Sequence, residues 1–246
     1  LADLGFVRIS AAQLLAIASL FVLTWLNTRG LQTGAFIQNV LTTLKALSLG
    51  LLIIFGLLVF RNPEVIALNF DNFFINIKST ETWGLLGIGS ALGVAMVGSL
   101  FSSDGWNSIT FIAGEVKEPQ RNIPRSLALG TFMVTALYVL ANITYLSLLP
   151  VEGIQGAAFD RVGTAAAQVI MGDKAVWVMA GLIMVSTFGC INGMILGGAR
   201  VLYAMAEDRL FLRTAAKLNQ RKAPANALIL LGLWSAVLTL SGKYDD

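Results

Sequence analysis

The stretch SLFSSDGWNSITFIAGEVKEPQRNIPR, residues 99–125, interrupts an apolar run in a way that decides the fold. Its polar quartet SSDG, residues 102–105, combines side chains that compete for backbone hydrogen bonds with a glycine that loosens the chain. Apolar residues resume after the quartet, and a charged loop follows near Glu115. We therefore predict a discontinuous helix over about 83–112, made of two half-helices on either side of the quartet.

The composition indicates that lipid surrounds most of this chain of 246 residues. Hydrophobic residues make up 56% and charged residues 13%, and the mean hydropathy is +0.75. Because a spanning helix needs roughly 20 apolar residues, we predict an all-α transmembrane fold, with one membrane domain over 1–246 and six spans: about 9–26, 35–60, 83–112, 125–149, 174–204 and 225–240. The first residue is Leu rather than Met, so we expect a fragment of a longer protein.

The segment 151–172 is too polar to cross a membrane, but its apolar residues share one helical face: Val162, Ala165, Ala166, Val169 and Ile170. We predict an amphipathic element that lies over the spans on the outer side. The orientation follows from the loops, since cytoplasmic loops carry an excess of Lys and Arg. One side holds ten such residues: Arg29, Lys117, Arg121, Arg125, Arg200, Arg209, Arg213, Lys217, Arg221 and Lys222. The other side holds six, so we predict that the richer side is cytoplasmic.

The predicted break leaves backbone N–H and C=O groups inside the membrane without intrahelical hydrogen bonds. A half-helix that starts near Trp106 offers free N–H groups and a positive dipole end, and the preceding half-helix ends in free carbonyls. A small zwitterion with a carboxylate and an ammonium matches both ends. Irregular backbone at membrane depth is tolerated where it lines a cavity or is buried in protein, so the break predicts a transport site. The alternative is a structural kink in which Asp104 is only a cap.

Lys45 lies about ten residues, or roughly 15 Å, into the second predicted span. A charge at that depth costs about 2.5–3.5 kcal/mol or more, so its side chain should face protein or water. Gln38 and Thr42 share its helical face, at i, i+4 and i+7. The alternative to a role in transport is a lysine paired structurally with a carbonyl.

The fifth predicted span contains four polar residues, of which we expect some to line the transport pathway: Ser186, Thr187, Cys190 and Asn192. For Cys190 itself we favour the role of a small buried hydrophobic residue. Glycines recur at every fourth position in this span, at 189, 193 and 197, and Gly89 and Gly93 form a similar pair in the third span. Such small-residue patterns predict close helix packing.

The sequence contains no histidine and a single cysteine. A histidine-based zinc site or catalytic triad is therefore excluded within this chain, as is an internal disulfide. We expect no metal and no cofactor, and the scarcity of polar constellations argues against an enzyme.

The stretch FSSDGWNSITFIAGEVKEPQRNIPRSLALGT, residues 101–131, resembles the sixth transmembrane helix and following loop of amino acid permeases. These belong to the amino acid–polyamine–organocation superfamily, and the resemblance is nearest to its L-type amino acid transporter branch. Eight residues carry it: Phe101, Gly105, Trp106, Glu115, Pro119, Arg121, Asn122 and Pro124. STFGCINGMILGGARVLYAMAEDRLF, residues 186–211, resembles the family's eighth helix, and LTTLKALSLGLLII, residues 41–54, resembles its fifth.

The resemblance implies part of a twelve-helix secondary transporter with two inverted five-helix repeats, of which this chain would hold helices four to nine. The implied substrate-binding residues are Phe101, Ser102, Ser103, Asp104, Gly105, Trp106 and Asn107. Phe101 would be an aromatic gate, the backbone of 101–103 would receive the substrate ammonium, and Trp106 and Asn107 would shape the side-chain pocket. The helix-one break, which binds the substrate carboxylate in the family, falls outside this chain.

The resemblance also implies roles away from the break. In sodium-independent relatives a lysine at the position of Lys45 replaces a bound sodium ion. Lys45 is therefore expected to fix the helix-one break to the eighth helix and to make transport sodium-independent. Glu115 and Arg121 are candidates for an inner gate, and an ordinary solvated loop is an equal alternative for their stretch.

Together these features predict a multi-pass plasma-membrane carrier for neutral L-amino acids. It would work by alternating access, through sodium-independent exchange or proton-linked uptake. Its partners would be a small-molecule amino acid, the lipid bilayer and the missing helices of the full-length carrier, with no nucleic acid. One alternative is a cationic amino acid or polyamine carrier, which should show acidic pocket residues, and Asp104 is the only acid predicted inside the membrane. The other is a nontransporting scaffold or an inactive fragment.

Overall fold

The computed structural model describes residues 2–3, 8–71, 84–103 and 105–241. Most of these residues form nine α-helices: α1 (Ala11–Thr28), α2 (Leu31–Leu58), α3 (Pro63–Asp71), α4 (Gly84–Ser102), α5 (Pro119–Leu148), α6 (Val151–Gln155), α7 (Val162–Met171), α8 (Lys174–Glu207) and α9 (Ala225–Ser241). Within the same ranges, three 3₁₀ segments cover Ser108–Glu115, Ala158–Asp160 and Arg213–Ala216. Two short strands, β1 (Ala2–Asp3) and β2 (Arg8–Ile9), pair antiparallel. The predicted all-α class is confirmed over the described ranges.

Four of the described helices are long and apolar enough to cross a membrane: Ala11–Thr28, Gln32–Leu58, Pro119–Leu148 and Lys174–Glu207. Large apolar side chains point outward on them, as Phe36 (69% exposed) and Trp177 (83% exposed) illustrate. Such exposure suits a hydrocarbon solvent, in which the helix satisfies its own backbone and apolar side chains face lipid. The prediction of one membrane domain over 1–246 stays a prediction.

The chain divides into two compact units, which are described separately. The first unit comprises Leu1–Lys45, Ser108–Val116 and Met184–Asp246, and the second comprises Ala46–Asn107 and Lys117–Ile183. Each unit therefore contains one part of α2 and one part of α8. The boundary near Asn107 coincides with the stretch that the sequence predicts to interrupt a helix.

In the first unit α1 and α9 pack antiparallel. The side-chain amide of Gln13, at the start of α1, donates to the carbonyl of Thr239, near the end of α9, at 3.1 Å. Further along, a Cβ atom on Gly232 would lie 2.8 Å from the hydroxyl of Thr24. Five of the eight residues in the buried cluster are alanines: Leu23, Ile195, Ala199, Ala206, Ala215, Ala223, Ala227 and Leu228. Small residues let helix backbones approach closely, which is how helices associate in lipid.

Both ends of α1 are capped. Ser10 and Gln13 form a capping box at its start, with the Gln13 N–H donating to Ser10 Oγ and the Ser10 N–H donating to Gln13 Oε1. At its end the loop before α9 supplies donors to two carbonyls: Asn219 Nδ2 to Thr28 O at 2.8 Å, and Arg221 Nη1 to Arg29 O at 3.2 Å. The turn into α2 passes through Gly30 at φ 126°, a conformation that favours glycine.

In the second unit Asn69 joins three elements. Its amide nitrogen donates to the carbonyls of Leu146 and Leu149, at 2.8 and 2.9 Å, and its amide oxygen accepts from the Val151 N–H at 3.1 Å. These bonds attach α3 to the end of α5 and to the start of α6. Asn69 is 6% exposed, so this buried amide is satisfied at both ends.

The segment 151–172 contains α6, a 3₁₀ turn and α7. Its buried face differs from the one expected, because Ala166 and Ala167 are fully buried while Val169 is 45% exposed. A Cβ atom on Gly163 would lie 3.3 Å from the hydroxyl of Tyr145 on α5. Small residues therefore face the neighbouring helix and the larger valine points away, since close approach, rather than burial of the largest side chains, decides the packing.

Helix α5 begins at Pro119, earlier than the predicted start at 125. Pro119 occupies the first helical turn, where its missing N–H has no intrahelical partner to lose. Pro124 lies further inside the same helix. The preceding Glu118 takes a left-handed conformation, with φ 48°, where the chain enters the helix.

Candidate functional site

The α-helical winding stops in the middle of the third predicted span. Helix α4 ends at Ser102, the chain turns at Ser103 and over 105–107, and a 3₁₀ segment follows from Ser108 to Glu115. Gly105 has φ 83°, a left-handed conformation that costs non-glycine residues roughly 1–2 kcal/mol. The predicted discontinuity at about 83–112 is confirmed, and Asp104 lies outside the described residues.

Two details of the break differ from the expectation. The stretch after it is 3₁₀ rather than α-helical, and Ile112 inside it departs from helical angles, with φ −111° and ψ 15°. This stretch is rich in β-branched residues, which are stiff and lower the helical propensity. In addition, the Ser103 hydroxyl donates to Ser99 O at 2.7 Å, and the Ser103 N–H donates to the same carbonyl at 3.1 Å. Both donors of Ser103 thus satisfy a backbone carbonyl in the last turn of α4.

The residues that follow Ser103 are exposed. Trp106 is 66% exposed, and Gly105 and Asn107 are exposed as well. The side chains of Phe101, Ser102 and Glu115 lie outside the described part of the structure. The roles predicted for the substrate-binding set 101–107 and for the gate residue Glu115 therefore stay predictions.

Arg121, the other gate candidate, lies in the first turn of α5 and contacts Glu118 at 3.7 Å. The two side chains are 63% and 70% exposed, and they are three residues apart in sequence. An exposed ion pair of this kind contributes little to stability. The contact is therefore what an ordinary solvated loop would show, and the role of Arg121 in a gate stays a prediction.

Lys45 reaches α8 within the first unit. Its Nζ lies 3.4 Å from the sulfur of Cys190, and a Cβ atom on Gly189 would lie 3.7 Å from the same nitrogen. Lys45 is half-buried and Cys190 is exposed, which contradicts the interpretation of Cys190 as a buried hydrophobic residue. A positive charge therefore lies at the contact between α2 and the helix that resembles the family's eighth.

The four polar residues predicted on α8 have different surroundings. Ser186 is half-buried, whereas Thr187 and Cys190 are exposed. Asn192 is fully buried, and its amide oxygen accepts from Asn27 Nδ2 at 2.8 Å, while its amide nitrogen donates to Gln38 Oε1 at 2.9 Å. The structure thus brings Asn192 together with α1 and α2, and it brings Cys190 together with Lys45.

Asn27 and Gly34 also belong to this contact, and neither was predicted from the sequence as a site residue. Asn27 is 1% exposed, and its amide nitrogen donates to Leu23 O as well as to Asn192. A Cβ atom on Gly34 would clash with Asn27 Oδ1 and would lie 2.9 Å from Leu196 Cδ2. A lone asparagine in an apolar helix predicts a polar contact, because a buried amide needs hydrogen-bond partners. Its partners, however, lie on other helices.

Each unit also contains an open groove. In the second unit a groove of about 440 Å³ is lined by Leu49, Ala95, Gly98, Ser99, Tyr138, Ala141, Asn142 and Tyr145. In the first unit a wider, mostly apolar groove of about 920 Å³ runs along α9, around Trp234 and Phe211. Among the described residues no group of three or more Cys, Asp or Glu could hold a metal ion.

The comparisons with known proteins agree with these features. A family model described as "Amino acid permease" matches residues 7–245. The chain is 30% identical over 240 residues to b(0,+)-type amino acid transporter 1 of Mus musculus, covering 95% of this chain and 46% of that protein. It is 27% identical over 237 residues to b(0,+)-type amino acid transporter 1 of Homo sapiens, covering 94% and 45%.

A second group of relatives gives a similar result. The chain is 27% identical over 231 residues to Large neutral amino acids transporter small subunit 2 of Mus musculus, covering 94% of this chain and 42% of that protein. The chain thus spans about half the length of the curated relatives it matches. These relatives are transporters rather than enzymes. With its apolar helices and a family match over nearly its whole length, the chain is a multi-pass membrane protein that belongs to the amino acid permease family.

Proposed function

We propose that this chain forms the central part of a secondary transporter that moves neutral L-amino acids across the plasma membrane by alternating access. The main support for this proposal is that α-helical winding ends at Ser102, inside a segment apolar enough to lie in a membrane. Membrane helices are normally continuous, because each unpaired backbone group in hydrocarbon costs several kcal/mol. Discontinuous helices are the usual place where carriers bind substrates.

The chemistry of the break fits one half of an amino acid. The carbonyls of Phe101 and Ser102 stand at the C-terminal end of α4, which carries the negative end of the helix dipole. An ammonium group is the ligand that such an end attracts. The carboxylate partner would come from the helix-one break of the family, which falls outside this chain. The substrate would therefore be held by backbone groups, with Trp106 and Asn107 next to its side chain.

Lys45 supports a sodium-independent mechanism. Its ammonium lies at the contact with α8, 3.4 Å from Cys190 Sγ. Two unit charges 4 Å apart repel by about 4 kcal/mol at an effective dielectric constant of 20, so a sodium ion would bind poorly beside it. Lys45 would then replace such an ion and hold the helix that contains the first break. Exchange and proton-linked uptake are both compatible with this arrangement.

Flux measurements test the proposal directly. The full-length protein is reconstituted into liposomes, and the uptake of radiolabelled alanine, leucine and arginine is measured with and without sodium. We expect flux of alanine and leucine that does not depend on sodium. Flux of arginine alone would favour the second candidate, a cationic amino acid carrier, for which Asp104 in the break would supply the negative charge. No flux of any of the three would contradict transport and favour a scaffold.

The role of Lys45 has its own test in the same liposomes. Lys45→Ala should lower exchange strongly, whereas Lys174→Ala should not, because Lys174 is an exposed residue at the start of α8. Unchanged exchange kinetics in Lys45→Ala would show that the lysine is a structural residue.

A further inference from the structure

The contact between α2 and α8 in the first unit is antiparallel and lined by glycines. A Cβ atom on Gly193 would lie 3.5 Å from the Gln38 amide, and one on Gly189 would lie 3.3 Å from Leu41 Cβ. The third point is Gly34, where a Cβ atom would lie 2.9 Å from Leu196 Cδ2. Rising numbers on α2 therefore match falling numbers on α8.

A groove of glycines does not by itself define which turn of one helix faces which turn of the other. The glycines of α8 recur every four residues, at 189, 193 and 197, about one helical turn apart. A shift of α2 by one turn would place the same apolar side chains against the next glycine. Packing specificity normally comes from side chains that interdigitate, and glycine has none to offer.

The buried amides provide the missing specification. Asn192 lies between two partners, accepting from Asn27 on α1 and donating to Gln38 on α2, and it is fully buried. Its amide nitrogen is also 3.4 Å from the carbonyl of Gly34. A one-turn shift of α2 would move Gln38 by about 5.4 Å along the helix axis. That shift would break the bond to Asn192 and leave a buried amide without its partner.

The second buried amide, that of Asn27, is equally constrained. Its amide nitrogen is shared between Leu23 O on its own helix and Asn192 on α8, both at 2.8 Å. Its oxygen has no hydrogen-bond partner among the described residues and rests against Gly34 of α2. Any larger residue at 34 would push α2 away from α1, so Gly34 lets the three helices meet at one level.

We propose that Asn27, Gln38 and Asn192 form a register pin, an amide chain that sets the axial position of α2 against α8. A single buried amide is known to select register in helix pairs whose apolar seam would accept several. Lys45 lies two turns beyond Gln38 on the same face of α2, so the pin holds the Lys45 ammonium beside Cys190. A role of this lysine position in transport rests on the proposed function, whereas the register itself does not.

Disulfide trapping measures the register directly, in the full-length protein in membranes with its other cysteines, including Cys190, replaced by serine. The pair Leu41→Cys with Gly189→Cys matches the observed register, with Cβ atoms near the 3.5–4.5 Å of disulfides. The pair Leu41→Cys with Gly193→Cys reports a shift of one turn. With the pin intact, we expect oxidation to cross-link the first pair and not the second.

The pin is removed with Gln38→Leu and Asn192→Leu together, so that neither amide faces the other unpaired. We expect the preference for the first pair to fall by about fivefold or more, roughly the ratio that one buried hydrogen bond represents. The swapped variant Gln38→Asn with Asn192→Gln keeps two amides and should restore the preference. Thr42→Val is the matched control on the same helix, since it removes an exposed polar group outside the pin and should change nothing.

Exclusive cross-linking of the first pair in the double leucine variant would show that apolar packing alone sets the register and would overturn the proposal. If that variant does not assemble, Asn192→Ala carries the same comparison with the same two outcomes. Amino acid flux is measured in parallel. Absence of flux in the protein with the pin intact would contradict the proposed function, and a changed cross-linking pattern in the double leucine variant would still leave the register pin standing.

Discussion

Helices α4 and α8 have similar glycine patterns and opposite surroundings. In α8, Cβ atoms on Gly189 and Gly193 would lie 3.3 and 3.5 Å from side chains of α2. In α4, Cβ atoms on Gly89 and Gly93 would meet no described atom within 4 Å, and the side chains from Gly89 to Leu100 are exposed. A repeated glycine therefore indicates that a helix can be approached closely, and it does not say whether a neighbour within the same chain does so.

Among the substitutions that test this comparison, Gly34→Ala should have the largest effect. The new methyl group would clash with Asn27 Oδ1, which hydrogen bonding of the same amide to Asn192 prevents from moving away. We expect a loss of about 3 kcal/mol, the upper part of the range for overpacking. Thermal unfolding of the detergent-solubilised protein measures it, and an unchanged melting temperature would show that α1 and α2 are not closely packed.

Asn192→Ala should have the next largest effect. It removes the acceptor of Asn27 and the donor to Gln38, so that the buried Asn27 amide and the half-buried Gln38 amide each lose a partner. We expect a loss of about 2 kcal/mol, within the range for a buried group left unsatisfied. The same thermal assay measures it, with Thr187→Ala on the exposed face of α8 as the control. Equal stability of the two variants would contradict the proposed amide chain.

Gly105→Ala tests a glycine that is needed for its backbone conformation rather than for its neighbours. At φ 83° an alanine is strained by about 1–2 kcal/mol, so the break should be disfavoured. We expect reduced amino acid flux with a small loss of stability. Gly130→Ala is the matched control, since it lies in α5 with no described atom within 4 Å of its would-be Cβ. Full flux in Gly105→Ala would show that the break does not limit transport.

Gly89→Ala should have the smallest effect and the opposite sign. Its would-be Cβ meets open space among the described residues, and alanine is the better helix former by about 0.5–1 kcal/mol. We therefore expect a small gain in the thermal stability of the detergent-solubilised protein. A loss comparable to that of Gly34→Ala in the full-length protein would instead reveal a helix, supplied from outside this chain, that packs against α4.

The break at 102–105 was predictable because its cause is local. Serine side chains compete with helical bonds within their own turn, and glycine alone adopts φ 83° without strain. Two helices, α8 and α9, begin at residues 174 and 225, where their apolar runs begin, because hydropathy is a property of a segment. The six membrane spans stay a prediction. The 3₁₀ form of 108–115 was not foreseen, since its apolar composition is equally compatible with an α-helix.

Side-chain partners were less accessible to the sequence. The helical face that carries Gln38 and Lys45 was identified from spacing, but Asn27 was overlooked, and Cys190 was expected to be buried. In α7 the predicted apolar face included Val169, which the structure leaves 45% exposed, while the two small alanines face the neighbouring helix. Hydrophobicity does not distinguish lipid from protein as a neighbour, so an apolar pattern cannot say which face of a membrane helix packs.

By itself the sequence determined where the chain is helical, where winding must stop, and that a lysine deep in an apolar helix needs a polar surrounding. These properties depend on a residue and its near neighbours, and on the high cost of unpaired polar groups in hydrocarbon. Only the tertiary structure decided that Asn27, Gln38 and Asn192 share one chain of hydrogen bonds and that Lys45 lies beside Cys190. Residues as far apart as 27 and 192 meet only after the helices have packed, and the packing depends on which small residues allow close approach.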